Sequence, residues 1–166
     1  MSSSSLEARI ALVGHPNAGK TTLFNAFTGQ RQKVGNYSGV TVEKASGEFF
    51  TPHGNRFELV DLPGCYSLSP NSPDEMVTRD VLLGVQEGEE IPDLVLCVLD
   101  ASNLERHLNL LLQVIDLGYP VIAALNKIDQ AEAQGLRLNP TALTETLGVP
   151  FVPLSALTEK GFVALK

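Results

Sequence analysis

Gly14, Gly19, Lys20 and Thr21 fall at the spacing G-x-x-x-x-G-K-T within the stretch GHPNAGKT. Glycines at those two places let a backbone wrap closely around an anion, while amides at the start of a following helix donate hydrogen bonds to it. The lysine neutralises the β and γ oxygens of a triphosphate, and the threonine hydroxyl reaches a Mg2+ ion. Asn17, Ala18 and Thr22 complete the loop that would line the phosphates. With glycine at about 7% of residues in ordinary proteins, the pattern seldom arises by chance in a chain this short.

Two further motifs follow in order. Asp61-Leu62-Pro63-Gly64 has the form D-x-x-G, in which the Asp holds Mg2+ through water and the Gly amide faces the γ-phosphate. Alone it is weak, because Asp61 could simply start a turn and Gly64 supply a positive φ. Asn126-Lys127-Ile128-Asp129 has the form N-K-x-D. A carboxylate at 129 accepts two hydrogen bonds from N1 and N2 of guanine, a pair adenine cannot offer, so a mismatched base leaves it unsatisfied. Asn126 would tie this loop to the phosphate loop. Ser155, Ala156 and Leu157, after the apolar run FVPL, are placed to present a backbone amide to guanine O6. The three motifs together point to GTP and GDP as ligands and to a Mg2+-dependent GTPase yielding GDP and phosphate.

Hydrolysis in such enzymes uses a Gln just after D-x-x-G to orient water and an Arg finger to neutralise charge. Cys65 occupies the Gln position. A thiol orients water poorly, so intrinsic turnover should be slow. Cys65 reads as a small residue needed for space in preference to a redox sensor, since no basic neighbour in sequence would lower its pKa.

Around these motifs the chain reads as alternating strands and helices. Residues 9–14 form a strand and 21–28 a helix, with a polar, Gly-rich loop over 29–39. Residues 40–50 and 56–62 read as an antiparallel hairpin closed by a turn at 52–55, and 63–73 as a second long loop. A helix over 74–83, a strand over 94–99, a helix over 104–117 and a strand over 121–125 come next. A helix over 141–147 and a strand over 151–154 complete the series. The fold class is α/β: a three-layer, doubly wound, mostly parallel six-stranded sheet with one antiparallel edge strand, the Ras-like P-loop GTPase arrangement. Residues 1–7 read as an unstructured or vector-derived start. Residues 8–166 form the GTP-binding domain, and 158–166 begin a helix that stops after about two turns, as if the domain were cut near its last helix.

A net charge of −7 with 19% charged residues argues against a nucleic-acid surface. Cys65 and Cys97 lack partners at metal-ligand or disulfide spacing, which suits a reducing compartment. No run approaches the roughly 20 apolar residues of a membrane span, so the 166-residue piece reads as soluble. His15, His53 and His107 are dispersed and receive no role. Asp100 and Glu105 read as capping and solvating a helix start.

VGNYSGVTVEK (34–44), DLPGCYSLSP (61–70) and DASNLERHLNLLLQVIDLGYPVIAALNKID (100–129) resemble the cytosolic N-terminal G domain of the bacterial ferrous iron transport family FeoB. The resemblance runs from about Arg9 to the last residue. It implies that Thr41 is the mobile Mg2+ ligand of a first switch loop, where the bland alternative is a surface strand threonine. It also implies that Asn17 ligates K+ between the β- and γ-phosphates in place of an Arg finger, with backbone carbonyls of Gly35 and Tyr37; otherwise Asn17 only caps the turn. Asn17, Lys20, Thr41 and Gly64 would then form the catalytic set. Two departures stand out: Tyr37 where Trp is expected and Lys127 where Met is frequent. The resemblance further implies helical and membrane domains downstream, a place on the cytoplasmic side of the bacterial inner membrane, and regulation of Fe2+ uptake. No His, Cys or carboxylate cluster has ligand spacing, so this domain is not expected to bind iron itself. The alternatives are a free-standing GTPase of RNA modification or ribosome assembly, and a nucleotide-binding module that scarcely hydrolyses.

Overall fold

The apolar runs in IALVG (10–14), LVLCVL (94–99) and VIAAL (121–125) leave few polar positions on either face, as strands covered by helices on both sides require. In the computed structural model, which describes residues 6–154 apart from 17, 30, 31, 51–53, 70, 71 and 137, they are the central strands. The strands are β1 (Leu6–Gly14), β2 (Gln32–Asn36), β3 (Glu43–Phe50), β4 (Arg56–Asp61), β5 (Leu94–Asp100), β6 (Val121–Asn126) and β7 (Phe151–Pro153). The helices are α1 (Lys20–Thr28), α2 (Pro73–Leu83), α3 (Leu104–Asp116), α4 (Ile128–Ala133) and α5 (Pro140–Leu147), with a 3-10 turn at Ala101–Asn103. One sheet runs in the order β2-β3-β4-β1-β5-β6-β7. Strands β4, β1, β5, β6 and β7 pair in parallel, whereas β3 pairs antiparallel with both β2 and β4.

The alternation of side chains along β1 separates the two cores. Leu12 packs with Leu23, Phe24 and Phe27 of α1 on one face, while Ala11 and Val13 join Val77 and Val81 of α2 and Leu110, Leu111 and Val114 of α3 on the other. On α3, His107, Leu110, Leu111 and Val114 recur at helical spacing and are buried, giving it one apolar face. The start of α2 is fixed by Ser72, whose side chain accepts the Glu75 amide at 3.2 Å, and by Pro73 in the first turn.

The mostly parallel sheet with an antiparallel margin is as expected, but it has seven strands and not six. The extra strand, β2, lies inside the polar stretch 29–39. Four of its five residues are exposed, so it is specified by backbone pairing to β3 and carries no apolar alternation to read. Residues 40–42 belong to the turn before β3, whose strand begins at Glu43. At the start, β1 already holds Leu6 and Glu7, with Leu6 opposite Arg56. Helix α4, too short to leave a clear periodic pattern in the sequence, is a six-residue element with Ile128 and Ala131 turned inward. The helix expected over 158–166 lies outside the described residues. Among the described residues no helix is long and apolar enough to cross a membrane.

Candidate functional site

The phosphate loop joins the end of β1 to α1. Ala18 N–H donates to the His15 carbonyl at 3.1 Å, and Gly19 turns into the helix with φ at 91°. A Cβ at Gly19 would stand 2.1 Å from Asn126 Nδ2, so glycine is demanded there by space as well as by backbone angle. Lys20 is the first helical residue, and Thr21 and Thr22 are exposed in the first turn. Asn17 lies outside the described residues, as do Ser155, Ala156 and Leu157.

Lys20 Nζ pairs with the carboxylate of Asp61 at the end of β4. Both groups are largely buried, and burial raises the Asp61 carboxyl above its ordinary range while the Lys20 ammonium opposes the shift. Removing either member would strand a charge in a poorly solvated place. Gly64 does not take a positive φ. Its requirement for glycine is contact: a Cβ there would lie 2.8 Å from Pro16 Cα. The second loop is further tied down by the Cys65 amide donating to the Gly14 carbonyl at 3.0 Å and by Thr78 Oγ1 donating to the Pro63 carbonyl at 2.7 Å. Cys65 is fully buried, and its thiol is pushed up to about 12 by burial and then by the Glu75 carboxylate. It stays protonated and fills space. Cys97, inside β5, is likewise buried and its thiol raised by burial.

Asn126 closes β6 and is 2% exposed. Its Nδ2 donates to the Ala18 carbonyl at 2.9 Å, across 108 positions of sequence, so the third motif is fastened to the first. Lys127 follows with φ at 60°, the sole non-glycine residue of positive φ among those described. The Ile128 amide donates to the Leu154 carbonyl at 3.2 Å, and Asp129 is exposed in the first turn of α4. Asp100 at the end of β5 accepts the Ser102 amide at 2.9 Å and caps the 3-10 turn, as expected.

Thr41, Gly35 and Tyr37 lie at the sheet margin. Gly35 is inside β2 opposite Lys44, separated from β1 by β3 and β4. The Tyr37 amide donates to the Val42 carbonyl at 3.0 Å and the Val40 amide to the Tyr37 carbonyl at 3.3 Å, closing a turn on which Thr41 is exposed. The Tyr37 ring is buried, its hydroxyl raised by burial and by the nearby carboxylates of Glu89 and Asp61. Glu89 also pairs with Arg9 and Lys44, so β1, β3 and the segment after α2 converge beside it.

One contact escaped the sequence. His15 of the phosphate loop stacks on His107 of α3, with ring centroids 4.0 Å apart, and the Tyr66 ring meets His15 edge-on at 5.1 Å. The two histidines are far apart in sequence and share no motif, and the one sequence signal is the helical spacing of His107 with Leu110, Leu111 and Val114 on the buried face of α3.

Residues 8–166 match the family model described as ferrous iron transport protein B. The Fe(2+) transporter FeoB of Escherichia coli (strain K12) is 49% identical over 161 residues, which is 95% of this chain and 20% of that protein. A Fe(2+) transport protein A/Fe(2+) transporter FeoB fusion protein of Porphyromonas gingivalis is 48% identical over 158 residues, covering 95% of this chain and 18% of that protein. The chain thus spans about a fifth of the length of the curated relatives it matches. The cytosolic domain of T. maritima FeoB in GDP form I superposes with a TM-score of 0.88 at 42% identity, covering 99% of this chain and 62% of that one. The FeoB G-domain from Methanococcus jannaschii does so with a TM-score of 0.82 at 42% identity, covering 97% and 94%.

Proposed function

Since this chain belongs to the ferrous iron transport protein B family and has the fold of its G domains, we propose that it binds GTP and GDP, hydrolyses GTP slowly with Mg2+ and K+, and thereby regulates Fe2+ uptake. The observation that carries this is the hydrogen bond from Asn126 to the Ala18 carbonyl. It makes one unit of the loop that would hold phosphate and the loop that would read guanine, which a chance Gly-Lys junction has no reason to do.

The chemistry follows from Lys20 and Asp61. Their pairing holds a lysine and a carboxylate ready at the mouth of the loop. When a triphosphate enters, Lys20 turns to its β and γ oxygens, and Asp61 is left as a buried anion in need of a cation. Asp61 and the exposed Thr21 hydroxyl would supply hard oxygen donors of the kind Mg2+ takes, and Thr41 would join them from the first switch loop. The ion would neutralise charge that develops on the transferred phosphoryl group. Gly64, packed against Pro16, would present its amide to the γ-phosphate.

Asn17, with the carbonyls of Gly35 and Tyr37, would hold K+ in place of an Arg finger. Among the described residues, strand β2 is the outermost of the sheet and the turn at 37–42 follows it, so their carbonyls can be offered once the turn moves. Asp129 would read guanine, and the amides at 155–157 its O6. In the whole protein the partners would be its own helical and membrane domains, with this domain on the cytoplasmic side, binding neither nucleic acid nor iron.

Single-turnover hydrolysis by the purified chain in KCl and in NaCl, with and without Mg2+, tests the proposal. Faster turnover in KCl, loss of turnover on chelation of Mg2+ and preference for GTP over ATP are expected. Equal rates in the two salts would remove the K+ site, and equal competition by ATP would remove the guanine reading.

A further inference from the structure

Lys127 has a backbone angle that costs an ordinary side chain about 1–2 kcal/mol, and something must hold it there. Its Nζ lies 3.2 Å from Asp100 Oδ2. Asp100 and Asn126 are register partners at the ends of parallel strands β5 and β6, which brings the carboxylate beside the residue that follows Asn126. The carboxylate is itself immobilised, since its other oxygen accepts both the amide and the hydroxyl of Ser102, at 2.9 and 2.5 Å. Three consecutive residues are therefore each anchored to a different part of the fold: Asn126 to Ala18, Lys127 to Asp100 and Ile128 to Leu154. Asp129 comes next and is displayed to solvent.

We propose that Asp100 is a positioning residue for guanine-nucleotide recognition, acting through its ion pair with Lys127 to set the turn that displays Asp129. Asp100 would touch neither base nor phosphate. It would fix the left-handed residue that decides where the first turn of α4 begins, a role separate from capping the 3-10 turn. The pair depends on lysine at 127, so the device would be specific to chains that carry it. The inference rests on 126–129 being the guanine loop, and the test distinguishes the two.

The affinity for GDP is measured with a fluorescent GDP analogue for the unaltered chain, Asp100→Asn, Lys127→Met and the double variant, with ADP as competitor throughout. Asp100→Asn should weaken GDP binding about fivefold, the factor for a partly exposed ion pair of about 1 kcal/mol, chiefly by faster release. In the Lys127→Met background the same substitution should change affinity less than twofold. Turnover at saturating GTP should change less than twofold in Asp100→Asn, a KM effect with kcat retained. Asp100→Ser, which can still cap the turn, provides a second form should the Asn variant fold poorly, and it should behave in the same way. Equal weakening in both backgrounds would mean that Asp100 acts through the cap alone and overturns the proposal, as would unchanged affinity in both Asp100 variants. If the unaltered chain binds ADP as well as GDP, the guanine loop itself is wrong.

Discussion

Gly64 and Gly118 separate two reasons for glycine that sequence alone confuses. Gly64 has no left-handed backbone, yet a Cβ there would come within 2.8 Å of Pro16 Cα, 3.1 Å of its nitrogen and 3.2 Å of its Cγ. Gly118, in the turn after α3, has φ at 91° and nothing within 4 Å of a Cβ. Gly64→Ala therefore brings steric pressure without backbone strain, and Gly118→Ala brings strain without pressure. The proline backbone cannot yield by rotating a side chain, so the phosphate loop has to shift by several tenths of an ångström; overpacking of this kind costs about 1–3 kcal/mol. Part of that appears as lost stability, and the displaced loop should hold GDP about tenfold less tightly, or about 1.4 kcal/mol. Gly118→Ala should lose about 1–2 kcal/mol of stability through the left-handed angle and leave GDP affinity within twofold. Urea unfolding without nucleotide and titration with a fluorescent GDP analogue read the two quantities. If Gly64→Ala binds GDP like the unaltered chain, or if Gly118→Ala weakens binding as much, the contact with Pro16 does not set the geometry of the phosphate loop.

Asn126→Ala leaves the Ala18 carbonyl without its side-chain donor and uncouples the two loops; a loss of about 1–3 kcal/mol in GDP affinity is expected by titration, with residual ADP binding unchanged. His107 is held down to about 4 by burial and by the neighbouring His15. The unfolded chain then binds a proton that the folded chain refuses, so this contribution to stability is complete above about pH 6.5 and is lost as pH falls toward 4. Unfolding free energies from urea titrations at pH 7 and pH 5 should differ by about 1 kcal/mol from this source after solvent screening, and His107→Phe, which keeps a ring against His15, should remove most of that difference. Leu110→Ala, at a fully buried position of α3, should lose about 2–5 kcal/mol by thermal or urea unfolding.

What could be read in advance was whatever leaves a local signature. The motif around Lys20, the turn at Asp61 and the run ending in Asn126 each need particular residue types at fixed spacing, and apolar runs mark β1, β5 and β6. Strand β2 left no such mark, because an exposed edge strand is specified by its neighbour's backbone. The reason for Gly64 was also hidden: a D-x-x-G turn suggests a special backbone angle, and only the packing against Pro16 reveals a steric demand. Asp100 is legible as a cap for a helix start, but its link to Lys127 depends on the register of two parallel strands, which no local pattern encodes. The stacking of His15 on His107 is invisible for the same reason.

The bond from Asn126 to Ala18 spans 108 positions, and this has a consequence for how the molecule is made. At about 5–20 residues per second, a ribosome needs roughly 5–20 seconds to travel from the first motif to the third. Throughout that interval GHPNAGKT is already synthesised while the strand that will brace it is not. If the two loops bind nucleotide as proposed, the ligand should assist folding chiefly at the end, once β6 has docked beside β5. Contacts over such a separation are slow to form, so the brace between the two loops should be among the last contacts made.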